Sequence, residues 1–355
     1  MNINAEAGQH GGVMHPGPQK TARLAALAVF AAMLGCKEAS APQAPRVTAL
    51  AVAGIRVASA SFSADGTFEL GLVATDTHGD AILSTSVKVT ADITSVGNSS
   101  ASLPAITVKQ TRAVQPSGLP VAAGIDIDDS GSMSSNDQNR LRAAAAQTFW
   151  ETVFTVRSTN QIALFDFGAG TTTGLNDSRL LQDWTSDRTL LAAQLSRLAA
   201  SGGTPLYESV LDVIGYVNTS RAASQFQRVM LLMTDGQPNS NTNRTNAITA
   251  AKNAGIPIHT VGLGPASDVS PLREASAVQA VRELAEQTGG VYASATDAAA
   301  LAPLFQTLAQ VSSQGQLITA FQITPVPASG MRISGTVTVT SGGGTATANW
   351  SFVAP

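Results

Sequence analysis

Between residues 118 and 315, short continuous apolar runs alternate with longer stretches whose apolar residues recur at helical spacing. In the stretch 138–156, Leu141, Ala145, Phe149 and Val153 fall on one stripe, which predicts an amphipathic helix. Strands that alternate with helices favour a mostly parallel sheet with helices on both faces. The predicted strands are 121–127, 161–167, 228–233, 256–262 and 290–294, and the predicted helices are 138–156, 188–199, 206–217, 243–254, 276–287 and 297–311.

The regions on either side of this α/β domain, residues 47–117 and 316–355, have the period of two that half-buried strands show. Region 47–117 is therefore predicted to form a small immunoglobulin-like β-sandwich. We hypothesise that the C-terminal strands complete this sandwich, so that residues 118–315 are an insertion between two halves of one β domain. The predicted strands of these regions include 68–73, 86–90, 318–323, 331–340 and 346–353.

Oxygen-bearing side chains follow two predicted strands of the α/β domain and also occupy one glycine-rich turn. In a doubly wound sheet, ligands gather beyond the carboxyl ends of the strands, where the strand order reverses. We therefore expect these side chains to offer two carboxylates and three hydroxyls to a hard divalent cation. Mg²⁺ suits such a set, and Mn²⁺ or Ca²⁺ also accept oxygen ligands. The predicted ligands are Asp128, Ser130, Ser132, Thr204 and Asp235.

The order of these segments is D-x-S-x-S, then a threonine in GGTPL, then an aspartate in TDG. It resembles the metal-ion-dependent adhesion site of von Willebrand factor type A (VWA) domains, over about residues 119–311. The resemblance implies a doubly wound, mostly parallel sheet and a protein-binding module that is not an enzyme. It also implies that Ser130, Ser132 and Thr204 touch the metal directly, while Asp128 and Asp235 act through water. An Asp or Glu of a protein partner would complete the coordination shell.

An enzymatic alternative rests on the same turn, because Asp126-x-Asp128-x-Ser130 resembles the nucleophile loop of haloacid-dehalogenase-type phosphotransferases. That resemblance implies Asp126 as the nucleophile, Asp128 as the acid/base and Thr234 as a phosphate contact, with Mg²⁺ as the cofactor. Such chemistry also needs a lysine and a further acidic pair near the metal. No paired acids follow a later strand, so we predict a non-enzymatic protein. We assign Asp126 no ligand role and expect it either to face a neighbouring hydroxyl or to support the loop.

Composition narrows the choice of partner. The chain has 21 Lys and Arg against 24 Asp and Glu, with a net charge of -3, which argues against nucleic-acid binding. No cluster of Cys and His indicates a zinc site, and the single Cys excludes an intrachain disulfide. We interpret His259, Trp150 and Trp184 as structural residues, and Asp137 as a cap of the following helix.

Residues 1–36 have the pattern of an export signal. Lys20 and Arg23 precede an apolar run at 24–34, which is too short to span a bilayer as a mature helix. The sequence Met33-Leu34-Gly35-Cys36 resembles a bacterial lipoprotein box, which implies acylation of Cys36 and a membrane anchor.

Two features of this signal stay open. Met14 is an alternative start that gives a signal of ordinary length, and cleavage after Ala41 would instead release a soluble, secreted protein. Residues 37–46 are predicted to be a linker. Lys37 stands where an aspartate would resemble an inner-membrane retention signal, so we expect an outer-membrane lipoprotein of a Gram-negative bacterium.

Overall fold

The computed structural model describes residues 51–100, 102–168 and 177–354. The predicted export signal, Cys36, the cleavage site after Ala41 and the linker 37–46 lie outside the described residues. Within the described part of the chain, no helix is long and apolar enough to cross a membrane.

The described strands fall into an N-terminal group, a group within the α/β domain and a C-terminal group. The N-terminal strands are β1 (Gly54–Phe62), β2 (Thr67–Thr75), β3 (Lys88–Val96) and β4 (Ala105–Val114). The α/β domain contains β5 (Val121–Asp128), β6 (Gln161–Phe167), β7 (Ser178–Thr185), β8 (Gln227–Thr234), β9 (Ile258–Gly262) and β10 (Tyr292–Ser294). The C-terminal strands are β11 (Gln316–Thr324), β12 (Arg332–Ser341) and β13 (Gly344–Val353).

The described α-helices all lie within the α/β domain. They are α1 (Met133–Asn136), α2 (Leu141–Val156), α3 (Arg188–Gln194), α4 (Leu206–Ser220), α5 (Arg244–Ala254), α6 (Ala275–Thr288) and α7 (Leu301–Gln314).

The α/β domain is built on a six-stranded sheet in the order β10-β9-β8-β5-β6-β7. Neighbouring strands run parallel, except that β7 is antiparallel to β6. Helices α2, α3 and α7 bury their apolar side chains against one face of this sheet, and α4, α5 and α6 cover the other. The predicted doubly wound, mostly parallel fold is therefore confirmed.

Several predicted elements differ from the structure, and three of the differences have a local cause. Strand β7 was not predicted, because its residues alternate irregularly between buried and half-buried positions at the edge of the sheet. Helix α2 begins at Leu141 rather than at residue 138, since Arg140 has a left-handed backbone with φ of 54°. The predicted helix 188–199 ends its α-helical part at Gln194 and continues as a 3₁₀ turn to Arg197.

The N- and C-terminal strands pair with one another in two sheets. One sheet has the order β1-β2-β11-β4 and the other has the order β13-β12-β3. Their inner faces share one apolar core, in which the ring of Phe68 stacks on Phe321 and packs against Trp350 and Phe352. Each sheet thus contains strands that precede the α/β domain and strands that follow it.

Candidate metal centre

The site forms where the order of strands reverses. From β5 the chain proceeds to β6 and β7 on one side, and then returns to β8, β9 and β10 on the other side. Asp128 is the last residue of β5, and Asp235 directly follows the adjacent parallel strand β8. The two carboxylates therefore leave the same edge of the sheet, which is the edge where doubly wound folds bind ligands.

Three of the five predicted ligands are linked by close side-chain contacts, and a fourth, Thr204, borders the same space. The Ser130 and Ser132 hydroxyl oxygens are 3.1 Å apart, and Ser132 Oγ donates to Asp235 Oδ1 at 2.7 Å. A Cβ placed on Gly236 would lie 3.5 Å from Thr204 Oγ1 and 3.9 Å from Ser132 Oγ. Thr204 thus faces the same small space as Ser132, and the absence of a side chain at Gly236 leaves that space open.

Asp128 lies next to this group, at the start of the turn that carries Ser130 and Ser132. Its Oδ1 accepts the backbone N–H of Ser130 at 2.8 Å, and its Oδ2 accepts the Thr234 hydroxyl at 2.5 Å. Burial, and then the negative charge of Asp235, raise the pKa of Asp128 to about 6. Burial also raises the pKa of Asp235.

The donor chemistry of this group fits a hard divalent cation. Both carboxylates are fully buried, and neither forms an ion pair within the described residues. Two buried like charges without a counter-ion are costly, so a bound cation would relieve them. Among residues 51–100, 102–168 and 177–354, no three His, Cys, Asp or Glu side chains cluster as potential ligands. A metal ion bound here would therefore need the hydroxyl oxygens as well as the two carboxylates.

Two asparagines that the sequence analysis did not single out form hydrogen bonds with two of the predicted ligands. Asn136 Nδ2 donates to Asp235 Oδ2 at 2.8 Å, which leaves Oδ1 facing Ser132. Asn239 Oδ1 accepts the backbone N–H of Thr204, and the N–H of Asn239 donates to the Thr204 carbonyl, both at 2.9 Å. Both asparagines lie in polar segments rich in turn-forming residues, so nothing in their local sequence distinguishes them.

Comparison with known proteins identifies the family of the α/β domain. The model of the von Willebrand factor type A domain family matches residues 125–307, slightly more than half of the chain. The protein belongs to this family. Domains of the family generally serve in adhesion or protein interaction, are typically non-enzymatic, and commonly bind a divalent metal at the adhesion site.

Human calcium-activated chloride channel regulator 1 is 31% identical to this chain over 173 residues, 48% of this chain and 16% of that protein. The match therefore spans only a small part of that relative.

Two solved structures also resemble the chain. The von Willebrand factor type A structure from Catenulispora acidiphila has 13% identity and a TM-score of 0.45, and covers 87% of this chain and 74% of that one. The vWF domain of the type V pili tip protein Mfa5 from Porphyromonas gingivalis has 18% identity and a TM-score of 0.42, and covers 56% and 96% respectively.

Asp126 lies inside the VWA domain rather than at its surface. The side chain is fully buried, and its Oδ2 accepts the Ser209 hydroxyl of α4 at 2.5 Å. The expected hydroxyl neighbour is thus present. Burial raises the pKa of Asp126 to about 8, so the carboxyl is mostly protonated at neutral pH. A buried, protonated carboxyl is poorly suited to attack a phosphate, and this geometry does not favour the phosphotransferase alternative.

Three other side chains of the VWA domain match their structural interpretation. Asp137 accepts the N–H groups of Leu141 and Arg142 at 2.6 and 3.0 Å, which confirms its role at the start of α2. His259 is buried, and its Nδ1 accepts the backbone N–H of Val291 at 3.1 Å. Trp150 is fully buried in the core beneath α2.

Proposed function

We propose that the protein is a non-enzymatic binding module in which Mg²⁺ links the VWA domain to an acidic side chain of a protein partner. The cation would be held by Asp128, Ser130, Ser132, Thr204 and Asp235. The observation that carries the proposal is the convergence of three separate loops, with two buried carboxylates and three hydroxyls, at the reversal of strand order. Since three of the five ligands are neutral, the bound cation keeps an attraction for an outside carboxylate.

The exposure of the ligands supports an approach from one side. Ser130 and Thr204 are only 1% and 7% exposed, whereas Ser132 is exposed. The residues next to this opening, Ser134 and Gly203, are exposed and uncharged. A partner Asp or Glu would therefore reach the cation past Ser132 and past these two uncharged residues. We expect the bond to the metal, rather than long-range charge attraction, to dominate the affinity.

Metal binding is tested first on the purified full-length protein. After the protein is stripped with EDTA, calorimetric titration with Mg²⁺, and separately with Mn²⁺ or Ca²⁺, measures affinity and stoichiometry. We expect one ion per chain, and a large loss of affinity in Ser132→Ala and Thr204→Ala. Thr245→Ala is the matched control, because Thr245 is an exposed threonine on α5. A wild-type protein that binds none of these ions would refute the proposal.

Partner binding is tested on material from the native cell envelope. A protein retained by the immobilised chain in Mg²⁺, released by EDTA and absent with Thr204→Ala is identified. Its exposed Asp and Glu residues are then replaced one at a time. Loss of binding on removal of a single acidic side chain supports the metal bridge. Binding that survives EDTA and Thr204→Ala alike would show that recognition does not use this site.

We also propose that the binding module is displayed outside the cytoplasm on a lipid anchor at Cys36. The support is the sequence 33–36, in which the only cysteine of the chain falls at the position that acylation needs. Labelled palmitate should be incorporated by the wild-type protein but not by Cys36→Ser, and fractionation should place the labelled protein in the outer membrane. Unlabelled wild-type protein in the medium would instead support cleavage after Ala41.

A further inference from the structure

The loops that carry the predicted ligands are tied together by one acidic residue that is not itself a predicted ligand. Asp129 lies between Asp128 and Ser130 and is fully buried. Its Oδ2 accepts the N–H of Ala199 at 2.5 Å, and its Oδ1 accepts the N–H of Ala200 at 2.8 Å. Its backbone carbonyl accepts the N–H of Ser201 at 2.7 Å. Three consecutive backbone amides of the segment that leads to Thr204 therefore donate hydrogen bonds to Asp129.

A buried arginine fixes the Asp129 carboxylate. Arg142 Nη2 donates to Asp129 Oδ1 at 2.7 Å, and Nη1 donates to Asp137 Oδ2 at 2.9 Å. The three side chains are at most 2% exposed. A guanidinium presents its donors in a rigid fork, so it sets the direction of both carboxylates. Asp129 is thereby fixed against the start of α2, which follows the Ser130–Ser132 turn in the chain.

The segment that Asp129 holds does not adopt its shape by local preference. Ala200 has φ of 48°, in the left-handed region that is unfavourable for a residue with a Cβ. The bonds to Asp129 offset this cost, and the segment then continues through Gly202, whose carbonyl accepts the N–H of Gly131 at 3.1 Å. The contacts of Asp129 therefore place the segment that leads to Thr204, while Asn239 holds Thr204 itself.

We propose that Asp129, oriented by Arg142, is a positioning residue that brings the Thr204 loop to the serine turn and thereby sets the affinity for the cation. The proposal rests on the proposed function, since it assigns Asp129 a role toward the same metal. Residues that orient metal ligands commonly change affinity by about 10–100-fold when they are replaced. Asp129 acts through Thr204, and its own two carboxylate oxygens are already engaged with Arg142, Ala199 and Ala200.

Asp137→Asn provides a matched control. Asp137 is as buried as Asp129 and shares the same guanidinium, but it contacts the start of α2 instead of the segment 199–201. Titration of the EDTA-stripped full-length protein with Mg²⁺ or Mn²⁺ should show an affinity at least about 10-fold weaker in Asp129→Ala. Asp129→Asn keeps the shape of the side chain and one acceptor oxygen, so its affinity should lie between those of the wild-type protein and Asp129→Ala. Asp137→Asn should bind nearly as tightly as the wild-type protein.

A second measurement does not depend on the metal. In the metal-free protein, hydrogen exchange at Ala199, Ala200 and Ser201 should become faster in both Asp129 variants but not in Asp137→Asn. Equal losses of affinity in Asp129→Asn and Asp137→Asn would overturn the proposal, because both would then report only general destabilisation. Wild-type affinity in Asp129→Ala would overturn it as well. If Asp129→Ala does not fold, Asp129→Asn carries the same comparison.

The result also separates this proposal from the proposed function. A wild-type protein that binds no cation removes both. A wild-type protein that binds one ion, together with an Asp129→Ala variant that binds it equally well, removes only the positioning role of Asp129.

Discussion

The buried imidazole of His259 makes the stability of the protein depend on pH in a way that can be calculated. His259 is 4% exposed on β9, and burial lowers its pKa from 6.5 to about 4. Above pH 6.5 the ring is neutral in the folded and the unfolded chain, so it has no effect. As the pH falls from 6.5 to 4, the unfolded chain takes up the proton and the folded protein does not. The free energy of unfolding therefore decreases by about 3 kcal/mol over this range, at about 1.4 kcal/mol per unit, and not further below it.

His259→Asn removes the titrating ring and still offers an oxygen to the N–H of Val291. We expect it to lower the free energy of unfolding at pH 7.5 by about 1–2 kcal/mol, because the smaller side chain leaves space in the core. The difference between wild-type and variant protein should then shift by about 2.5 kcal/mol in favour of the variant between pH 7.5 and pH 4.5. Urea unfolding of EDTA-treated protein, followed by tryptophan fluorescence, measures both curves. The carboxylates titrate in both proteins, so their contribution cancels. Parallel curves would mean that His259 takes up a proton inside the folded protein, which would refute its burial.

Two further predictions concern the space beside Thr204 and the pairing of the terminal strands. Gly236→Ala should weaken binding of Mg²⁺ measured by calorimetry, since the added methyl would contact Thr204 Oγ1 and Ser132 Oγ. Because Gly236 is not in the left-handed region, the EDTA-treated variant should be as stable as the wild-type protein or up to about 1 kcal/mol more stable. The control is Gly215→Ala, whose added methyl meets no atom within 4 Å. Equal affinities of the two variants for Mg²⁺ would contradict the prediction. Residues 118–315 should fold alone, as judged by circular dichroism and by amide dispersion in NMR spectra. Residues 47–117 should not fold alone, because β11 lies between β2 and β4, and β12 is the partner of β3. A stable fragment 47–117 would show that the sandwich does not need its C-terminal strands.

The positions of Asp128 and Asp235 could be predicted from the sequence because each lies at the end of a strand with a strong apolar pattern. Asp128 ends one apolar run and Asp235 directly follows another, and these runs form the adjacent strands β5 and β8. A parallel sheet brings the ends of such strands to one edge, so spacing along the chain becomes closeness in space. Thr204 needed more than periodicity, because it lies in an irregular turn. Its position was inferred from the resemblance of GGTPL to the family pattern.

The parts that the sequence did not predict depend on contacts across irregular segments. Strand β7 lies at the edge of the sheet, where one antiparallel partner and register shifts remove the regular alternation of buried residues. Asn136 and Asn239 lie in polar stretches where asparagine is equally common as a plain turn former. Their contacts with Asp235 and Thr204 are visible only once the loops are placed.

The contacts of Asp129 and Asp137 with Arg142 could not be predicted from the pattern of residues along the sequence. Spacing along the chain places Asp137 near the start of α2, but it does not indicate that Arg142 turns inward to meet a second carboxylate. A buried group of two acids and one base carries a net negative charge, which is unfavourable unless further donors solvate it. Those donors are the amides of Ala199 and Ala200 on one side and of Leu141 and Arg142 on the other. The first turn of α2 and the segment 199–200 must both be in place before the charge is accommodated, and neither contact involves a metal. The frame around Arg142 is therefore made of contacts within the protein, and it holds the segment 199–200 against the start of α2.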